Sequence, residues 1–258
     1  MNGDKRERNI KLTIAYDGSR YDGWQKQGNT SNTIQQKLEN LLTTLLEEPV
    51  EIHGSGRTDA GVHAIGQVAN FHTTSNMSLE QLHQGMCEYL PKDIGILSLE
   101  EVDLRFHSRL NAKGKKYQYR IWNSRISNVF ERKYMYQVPE NLNMNNMLEA
   151  SKQLVGTHDF ISFCSNKRMK KSSVRTIYHI EIEKLGDEIR ITYVGNGFLY
   201  NMVRILTGTL IEVGLGTRKP ETIPSILAEK SREAAGVTAP AQGLSLVDVY
   251  YEEDFYKA

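Results

Sequence analysis

The chain has 258 residues, 39% of them hydrophobic and 24% charged, with a net charge of +1. These fractions belong to an ordinary globular chain long enough for one large or two modest cores, and they exclude a disordered or membrane class. A near-neutral total also means that any case for an anionic partner must rest on where the charges sit. Cys87 and Cys164 lie far apart without metal-type spacing, so free thiols packed in the core are expected. The seven histidines show no HExxH-type spacing, and no metal site is expected. The start Met1-Asn2-Gly3-Asp4-Lys5-Arg6 lacks the apolar stretch of a secretion signal, which makes a cytoplasmic location the expectation.

In chain order, Asn9 to Tyr16 places Ile10, Leu12 and Ile14 on one side of a first strand, broken at Asp17-Gly18. The run from Tyr16 to Gln25, dense in aromatics and glycines, reads as the rim of a site or as a well-packed loop, and composition favours the loop. Thr33 with Gln36 predicts a capping box, followed by a helix with Ile34, Leu38, Leu41, Leu42 and Leu45 on one face, ending near Glu47 ahead of Pro49. Ser78 with Gln81 starts a second helix carrying Leu82, Met86 and Leu90, and Pro91 stops it before a strand near Ile94 to Val102.

A second pass of similar type begins with Lys115 to Trp122, where Tyr117, Tyr119 and Ile121 share a strand face. Asn143 to Val155 reads as a helix capped by Gly156, and Thr176 to Lys184 joins Glu188 to Val194 across Leu185-Gly186-Asp187 as a hairpin. A helix from Phe198 to about Val213, a short one from Pro220 to Glu229 and a strand from Leu244 to Tyr251 complete the order. Strands mixed with helices, without regular βαβ alternation, predict an α+β fold.

Between the strand-like run Val50 to His53 and a second one with Ile65, Ala69 and Phe71 on one face lies Gly54-Ser55-Gly56-Arg57-Thr58-Asp59-Ala60-Gly61-Val62-His63-Ala64. A turn can be built from Gly and Asp, whereas Arg-Thr-Asp framed by glycines also suits close approach of backbone to a ligand. Composition leaves both readings open, with Asp59 as the candidate reactive group. The helix from Phe198 is apolar nearly all round and so should be buried, which puts Arg204 in need of an anionic partner. Asp59 would be kept ionised by such an arginine, ready to act as nucleophile or base; Glu212 and Asp159 are the structural alternatives. Two basic runs stand out: Lys167, Arg168, Lys170, Lys171 and Arg175 without an acid, and Lys113, Lys115, Lys116 and Arg120 interleaved with Tyr117 and Tyr119. They read as solvated surface or as sites for phosphates and unstacked bases.

Eight segments occur in order: YDGSRYDGWQ from Tyr16, GSGRTDAGVHA from Gly54, GQVANF from Gly66, KGKKYQYR from Lys113, HDFISF from His158, KSSVRTI from Lys171, GFLYNMVR from Gly197 and APAQGLSL from Ala239. Together they make the chain resemble the TruA-type tRNA pseudouridine synthases over nearly its whole length. The resemblance implies isomerisation of uridine to pseudouridine at positions 38, 39 and 40 of the tRNA anticodon stem-loop, with no metal and no organic cofactor. It implies the pseudouridine synthase fold, two α+β subdomains (1–109 carrying the catalytic Asp loop, 110–258 completing the site) with mixed or antiparallel sheets flanking a central active-site cleft. A cytoplasmic homodimer that engages tRNA and no membrane is expected with it.

Position by position, the resemblance puts Asp59 on the catalytic aspartate, whose attack on sugar or base stays open. Tyr117 falls on the tyrosine that stacks against the target base, a candidate acceptor of the C5 proton. Arg204 falls on the basic partner of that aspartate, and Arg57 on an arginine that holds the target nucleotide out of the stack. Leu244 is expected in the pocket wall, Phe198 and Met202 in the core, and Tyr119, His63 and His158 in structural roles. Lys167, Arg168, Lys170 and Lys171 are assigned to general tRNA contact.

Overall fold

The computed structural model describes residues 6–166 and 171–253. Among these, 6–112 with 246–251 cluster as one unit and 113–245 with 252–253 as another. The alternation of the first strand is realised in the first unit, where β1 (Arg8–Tyr16) buries Ile10, Leu12 and Ile14 completely. Helix α1 (Ile34–Leu46) buries Ile34, Leu38, Leu42 and Leu46. Thr33 caps it by accepting the Gln36 N–H at 3.3 Å, but the Gln36 side chain donates to Asn40 Oδ1 at 2.6 Å, so only half of the expected capping box forms. Strand β2 (His53–Gly54) is shorter than the run before it suggested, and β3 (His63–Thr73) follows the glycine-framed stretch. Helix α2 (Leu79–Tyr89) has the complete Ser78/Gln81 capping box, and β4 (Ile94–Val102) lies where its alternation places it.

β1 pairs antiparallel with both β3 and β4. Ile14 faces Gln67 while Tyr16 faces Ala64, so three residues of β3 span two of β1. This bulge inverts the phase of the strand. Ile65, expected inward with Ala69 and Phe71, is therefore 53% exposed, whereas the other two are fully buried. A similar correction applies to Cys87. The buried stripe of α2 runs through Leu82 and Met86, and Cys87, one residue off that stripe, is exposed; Cys164 is buried as expected.

The second unit comprises β5 (Gly114–Trp122), β6 (Tyr136–Gln137), α3 (Met144–Lys152), β7 (Gly156–Asp159), β8 (Val174–Leu185), β9 (Glu188–Gly195), α4 (Met202–Gly214) and α5 (Ile223–Glu229). Its sheet runs β5-β9-β8-β7 with antiparallel neighbours, and β6 adds parallel to β5. Leu185 pairs with Glu188, so the hairpin turn is only Gly186-Asp187. Helix α3 stops at Lys152, and Gly156 opens β7 instead of capping the helix. The apolar helix starts later than its composition suggests, because Asn201 adopts the left-handed region with φ 60° and α4 begins after it. Thr207 and Thr209 inside this buried helix return their hydroxyls to the Val203 and Ile205 carbonyls, and they also meet the Tyr193 hydroxyl and the Gly236 N–H. The chain closes with β10 (Leu244–Tyr250), whose residues from Leu246 onward cluster with the first unit beside β3.

Arg120 and Arg190 both donate to Glu188 Oε1, at 2.7 and 2.6 Å, and Arg120 also reaches Glu131. Burial pushes the Glu188 carboxyl up, but the hydrogen bonds and charges of the two arginines outweigh it and bring the group down to about 2, from an ordinary 4.5. Folding thus favours the ionised form. The stability from this group is complete above the ordinary carboxylate range and is lost as pH falls toward about 2. Melting temperatures of the native protein should therefore fall between pH 5 and pH 3 more steeply than those of Glu188→Gln. Parallel slopes would show that the arginines do not hold Glu188 ionised.

Candidate active site

The stretch between β2 and β3 is tied down on every side by groups of the first unit. Ser55 donates its N–H to the Val68 carbonyl at 2.7 Å and its hydroxyl to Gln67 Oε1 at 2.7 Å, while Gln67 Nε2 donates to the Gly56 carbonyl at 3.0 Å. Thr58 is clamped at both ends. Its hydroxyl lies 2.8 Å from the Tyr16 hydroxyl, and its carbonyl accepts the Trp24 N–H at 3.1 Å. Beyond Asp59, the Val62 N–H closes a turn on the Asp59 carbonyl at 3.1 Å, and the Gly61 N–H reaches the Tyr21 carbonyl. The half-buried Asp59 is thus carried on a loop whose backbone has little freedom.

The run from Tyr16 to Gln25 supplies three of these ties. Gly23 has φ +92°, and a Cβ there would lie 2.7 Å from the Thr58 carbonyl oxygen and 3.2 Å from the Asp59 carbonyl carbon. Trp24, 1% exposed, lies so close under Gly54 that a Cβ on that glycine would come within 2.4 Å of the indole nitrogen. The carbonyls of Gly23 and Trp24 accept the N–H groups of Ile34 and Gln35, which satisfies donors at the start of α1 that no helical carbonyl can reach. The packed-loop reading of this run holds, and what it packs against is the Asp59 loop. Burial pushes the Tyr16 phenol up to about 12 against the lowering hydrogen bonds of Thr58 and Gln67, so the clamp stays neutral at physiological pH. His63 is buried and accepts the Gly18 N–H at Nδ1, 3.1 Å away. Arg57 is exposed, its Nε donating to Gln25 Oε1 at 2.9 Å.

Tyr117, Arg204 and Leu244 belong to the second unit. Tyr117 is 7% exposed on β5, edge-on to the half-buried Phe198 ring with centroids 5.3 Å apart. Met202 is fully buried, as expected for core. Arg204 sits in the first turn of α4, not in its middle as the apolar run suggested, and is half-buried. Its Nε donates to the Ala239 carbonyl at 2.7 Å and its Nη1 to Asn201 Oδ1 at 2.9 Å, while the Ala239 N–H returns to the Arg204 carbonyl. The Tyr119 hydroxyl donates to the neighbouring Pro240 carbonyl at 2.8 Å, and burial raises its pKa well above the ordinary phenol. Arg204 and Tyr119 thus fix the segment leading into the buried Leu244. The two alternative acids are engaged elsewhere, Glu212 by Arg218 and Asp159 by Ser173 and Lys230.

Part of the interleaved basic run separates from the tyrosines in space. Strand alternation turns Tyr117 and Tyr119 inward, while Lys116 and Arg120 fall on the opposite face, where Arg120 pairs with Glu188 and Glu131; Lys113 pairs with Glu253. In the other run, Lys171 is exposed, Arg175 donates to the Ser172 and Val174 carbonyls, and Lys167, Arg168 and Lys170 lie outside the described residues. Among the described residues no group of three or more His, Cys, Asp or Glu is placed to hold a metal ion, and no helix is long and apolar enough to cross a membrane. Sequence reasoning missed Tyr16, Gly23 and Gln67 as supports of the Asp59 loop, and Asn201 as a partner of Arg204 in the second unit. The loop partners of the first three lie elsewhere in the chain, and the concentration of glycines and aromatics from Tyr16 hinted only at Tyr16 and Gly23.

The family model described as tRNA pseudouridine synthase matches residues 12–111 and 150–252. The chain belongs to the tRNA pseudouridine synthase family. Its relatives include a tRNA pseudouridine synthase A 2 of Bacillus cereus, 47% identical over 94% of this chain and 99% of the relative. That of Clostridium tetani is 48% identical over 95% and 99%, and the tRNA pseudouridine synthase A of Acetivibrio thermocellus is 46% identical over 95% and 100%. The TruA-type resemblance and the α+β pseudouridine synthase fold are thereby established, and with them the class of isomerase. Arg57 and Asp59 fall in the first matched segment and Arg204 and Leu244 in the second, with Tyr117 between the two.

If the loop is positioned by close backbone approach, Gly23→Ala must move Thr58 and Asp59 together. With Asp59 as the candidate reactive group, we expect kcat to fall by roughly tenfold to a hundredfold, the range that small misplacements of a reacting group produce, with KM for tRNA changed less than about threefold. Steady-state kinetics beside a thermal melt would check this, and an unchanged kcat in a folded variant would show that the close approach does not set the loop.

Proposed function

We propose that the chain isomerises uridine to pseudouridine at positions 38, 39 and 40 of the tRNA anticodon stem-loop, with Asp59 as the nucleophile. The observation that carries this reading is the clamped loop, which offers one half-buried carboxylate on an immobilised backbone in a chain of this family. The reaction needs little more chemistry than that. The C1′–N1 bond breaks as the Asp59 carboxylate takes up the nucleoside carbon it attacks. The freed uracil, with the electron pair of the broken bond on N1, turns; C5 bonds to C1′ as the carboxylate departs, and the proton lost from C5 is balanced by one taken up at N1. A preorganised carboxylate lowers the barrier because it is already oriented before bond cleavage begins.

The other roles follow from the resemblance. Tyr117, its ring buried against Phe198, is assigned to stacking on the uracil and accepting the C5 proton. Arg57, exposed at the loop, holds the extruded nucleotide. Arg204 supplies the positive charge that favours an ionised nucleophile, and Leu244 contributes apolar wall. A cytoplasmic homodimer with 1–109 and 110–258 as subdomains and a tRNA footprint reaching Lys167, Arg168, Lys170 and Lys171 completes the reading.

The deciding experiment follows tritium release from C5-labelled uridine in unmodified tRNA, comparing the native protein with Asp59→Ala and sequencing the modified positions. Release by the native protein alone, with an intact strand carrying pseudouridine at 38 to 40, is expected. Release of free uracil with abasic sites would replace the synthase by a glycosidase, and modification elsewhere would overturn the assignment of the stem-loop. Reversing the charges of Lys167, Arg168, Lys170 and Lys171 should reduce the slope of log K against log salt by roughly one for each phosphate no longer neutralised; an unaltered slope removes these residues from the tRNA footprint.

A further inference from the structure

A chain of side-chain amides runs inward from Arg57. Its Nε–H donates to Gln25 Oε1 at 2.9 Å. Gln25 Nε2 donates to Gln35 Oε1 at 2.7 Å, and the Lys26 backbone N–H donates to the same oxygen at 2.9 Å. Gln35 Nε2 donates to Glu39 Oε1 at 2.8 Å and to the Ile52 carbonyl at 3.1 Å. Glu39 Oε1 also accepts the Ile52 N–H at 3.1 Å, and its Oε2 meets Lys26 Nζ at 3.2 Å. Gln35 and Glu39 are buried, at 6% and 5% exposure, on successive turns of α1.

Backbone groups dictate which way each amide points. A carbonyl only accepts and a backbone N–H only donates. The Ile52 carbonyl therefore requires the NH2 end of Gln35, and the Lys26 N–H requires its oxygen end. With Gln35 so fixed, Gln25 can meet it only through its own NH2, which leaves the Gln25 oxygen facing Arg57. Arg57 Nε, which only donates, matches that oxygen and would clash with the other orientation. The buried end of the chain thus determines the acceptor presented at the loop surface. An exposed arginine otherwise has freedom about several side-chain torsions, and the bond at Nε removes most of it while keeping the guanidinium on the loop that carries Asp59.

We propose that Gln25 is a positioning residue of this enzyme, which holds Arg57 in the orientation that engages the target nucleotide and whose own amide is set by Gln35. The proposal rests on the role given to Arg57 above. Gln25 does not touch the reacting atoms, so its contribution passes through Arg57.

A double-mutant cycle on tRNA isomerisation tests it, using Gln25→Leu, Arg57→Ala and the pair, with Gln25→Met as a second replacement should the leucine destabilise the chain. Gln25→Leu is expected to lower kcat by roughly fivefold to twentyfold in the native background, with KM within about twofold, and by less than about twofold when Arg57 is already alanine. Equal losses in both backgrounds would overturn the proposal while leaving the role of Arg57 intact, since they would make Gln25 a support of the fold alone. Full activity of Arg57→Ala would overturn the role of Arg57 and the proposal together. Full activity of both Gln25 variants with an impaired Arg57→Ala would show that Arg57 orients without this bond, which also overturns it.

Discussion

The backbone of Gly23 and Trp24 is shared by two neighbours at once. Its carbonyls complete the first turn of α1, its N–H at Trp24 holds the Thr58 carbonyl, and there is no room for a side chain at Gly23 between them. The position of Asp59 is therefore fixed relative to the start of a helix, through main-chain bonds of fixed length. Such bonds set geometry more sharply than a salt bridge between flexible side chains, because each end belongs to an element that is itself ordered. The Tyr16 clamp and the Gln67 bridge add to this from β1 and β3, so strands and helix converge on one short loop.

The second unit uses the same device on different residues. Arg204 and the Ala239 backbone bond each other in both directions, and Tyr119 holds the adjacent carbonyl. Polar side chains in both units thus find partners that satisfy their hydrogen-bonding groups. Glu188 shows the other solution, where two guanidinium groups compensate for burial directly. The distinction matters for acid tolerance, since only the carboxylate network changes its protonation within an accessible range.

Much of the fold is legible locally. The alternation of Ile10, Leu12 and Ile14, the Ser78/Gln81 box and the tyrosines of β5 each report a period or a cap that depends on near neighbours alone. The departures each turn on a single residue whose conformation neighbours do not dictate. One extra residue in β3 turns Ile65 outward, and a left-handed Asn201 shortens α4 and moves Arg204 to its first turn. In β5, alternation puts Lys116 and Arg120 on the face opposite Tyr117 and Tyr119, while Lys115 keeps the parity of the tyrosines.

The sequence by itself determined the elements, the glycine-framed stretch around Asp59 and the family, because periodicity and ordered motifs are properties of consecutive residues. Tertiary structure alone decided that Gly23 abuts Thr58, that Tyr16 clamps the loop, that Gln25 faces Arg57 and that the last strand from Leu246 onward joins the first unit. Each of these joins segments far apart in the chain, and nothing in the local composition encodes which distant group will be the partner. Hydrogen-bond polarity settles it only once both ends are in place, since a carbonyl can require a donor but cannot name the residue that brings one.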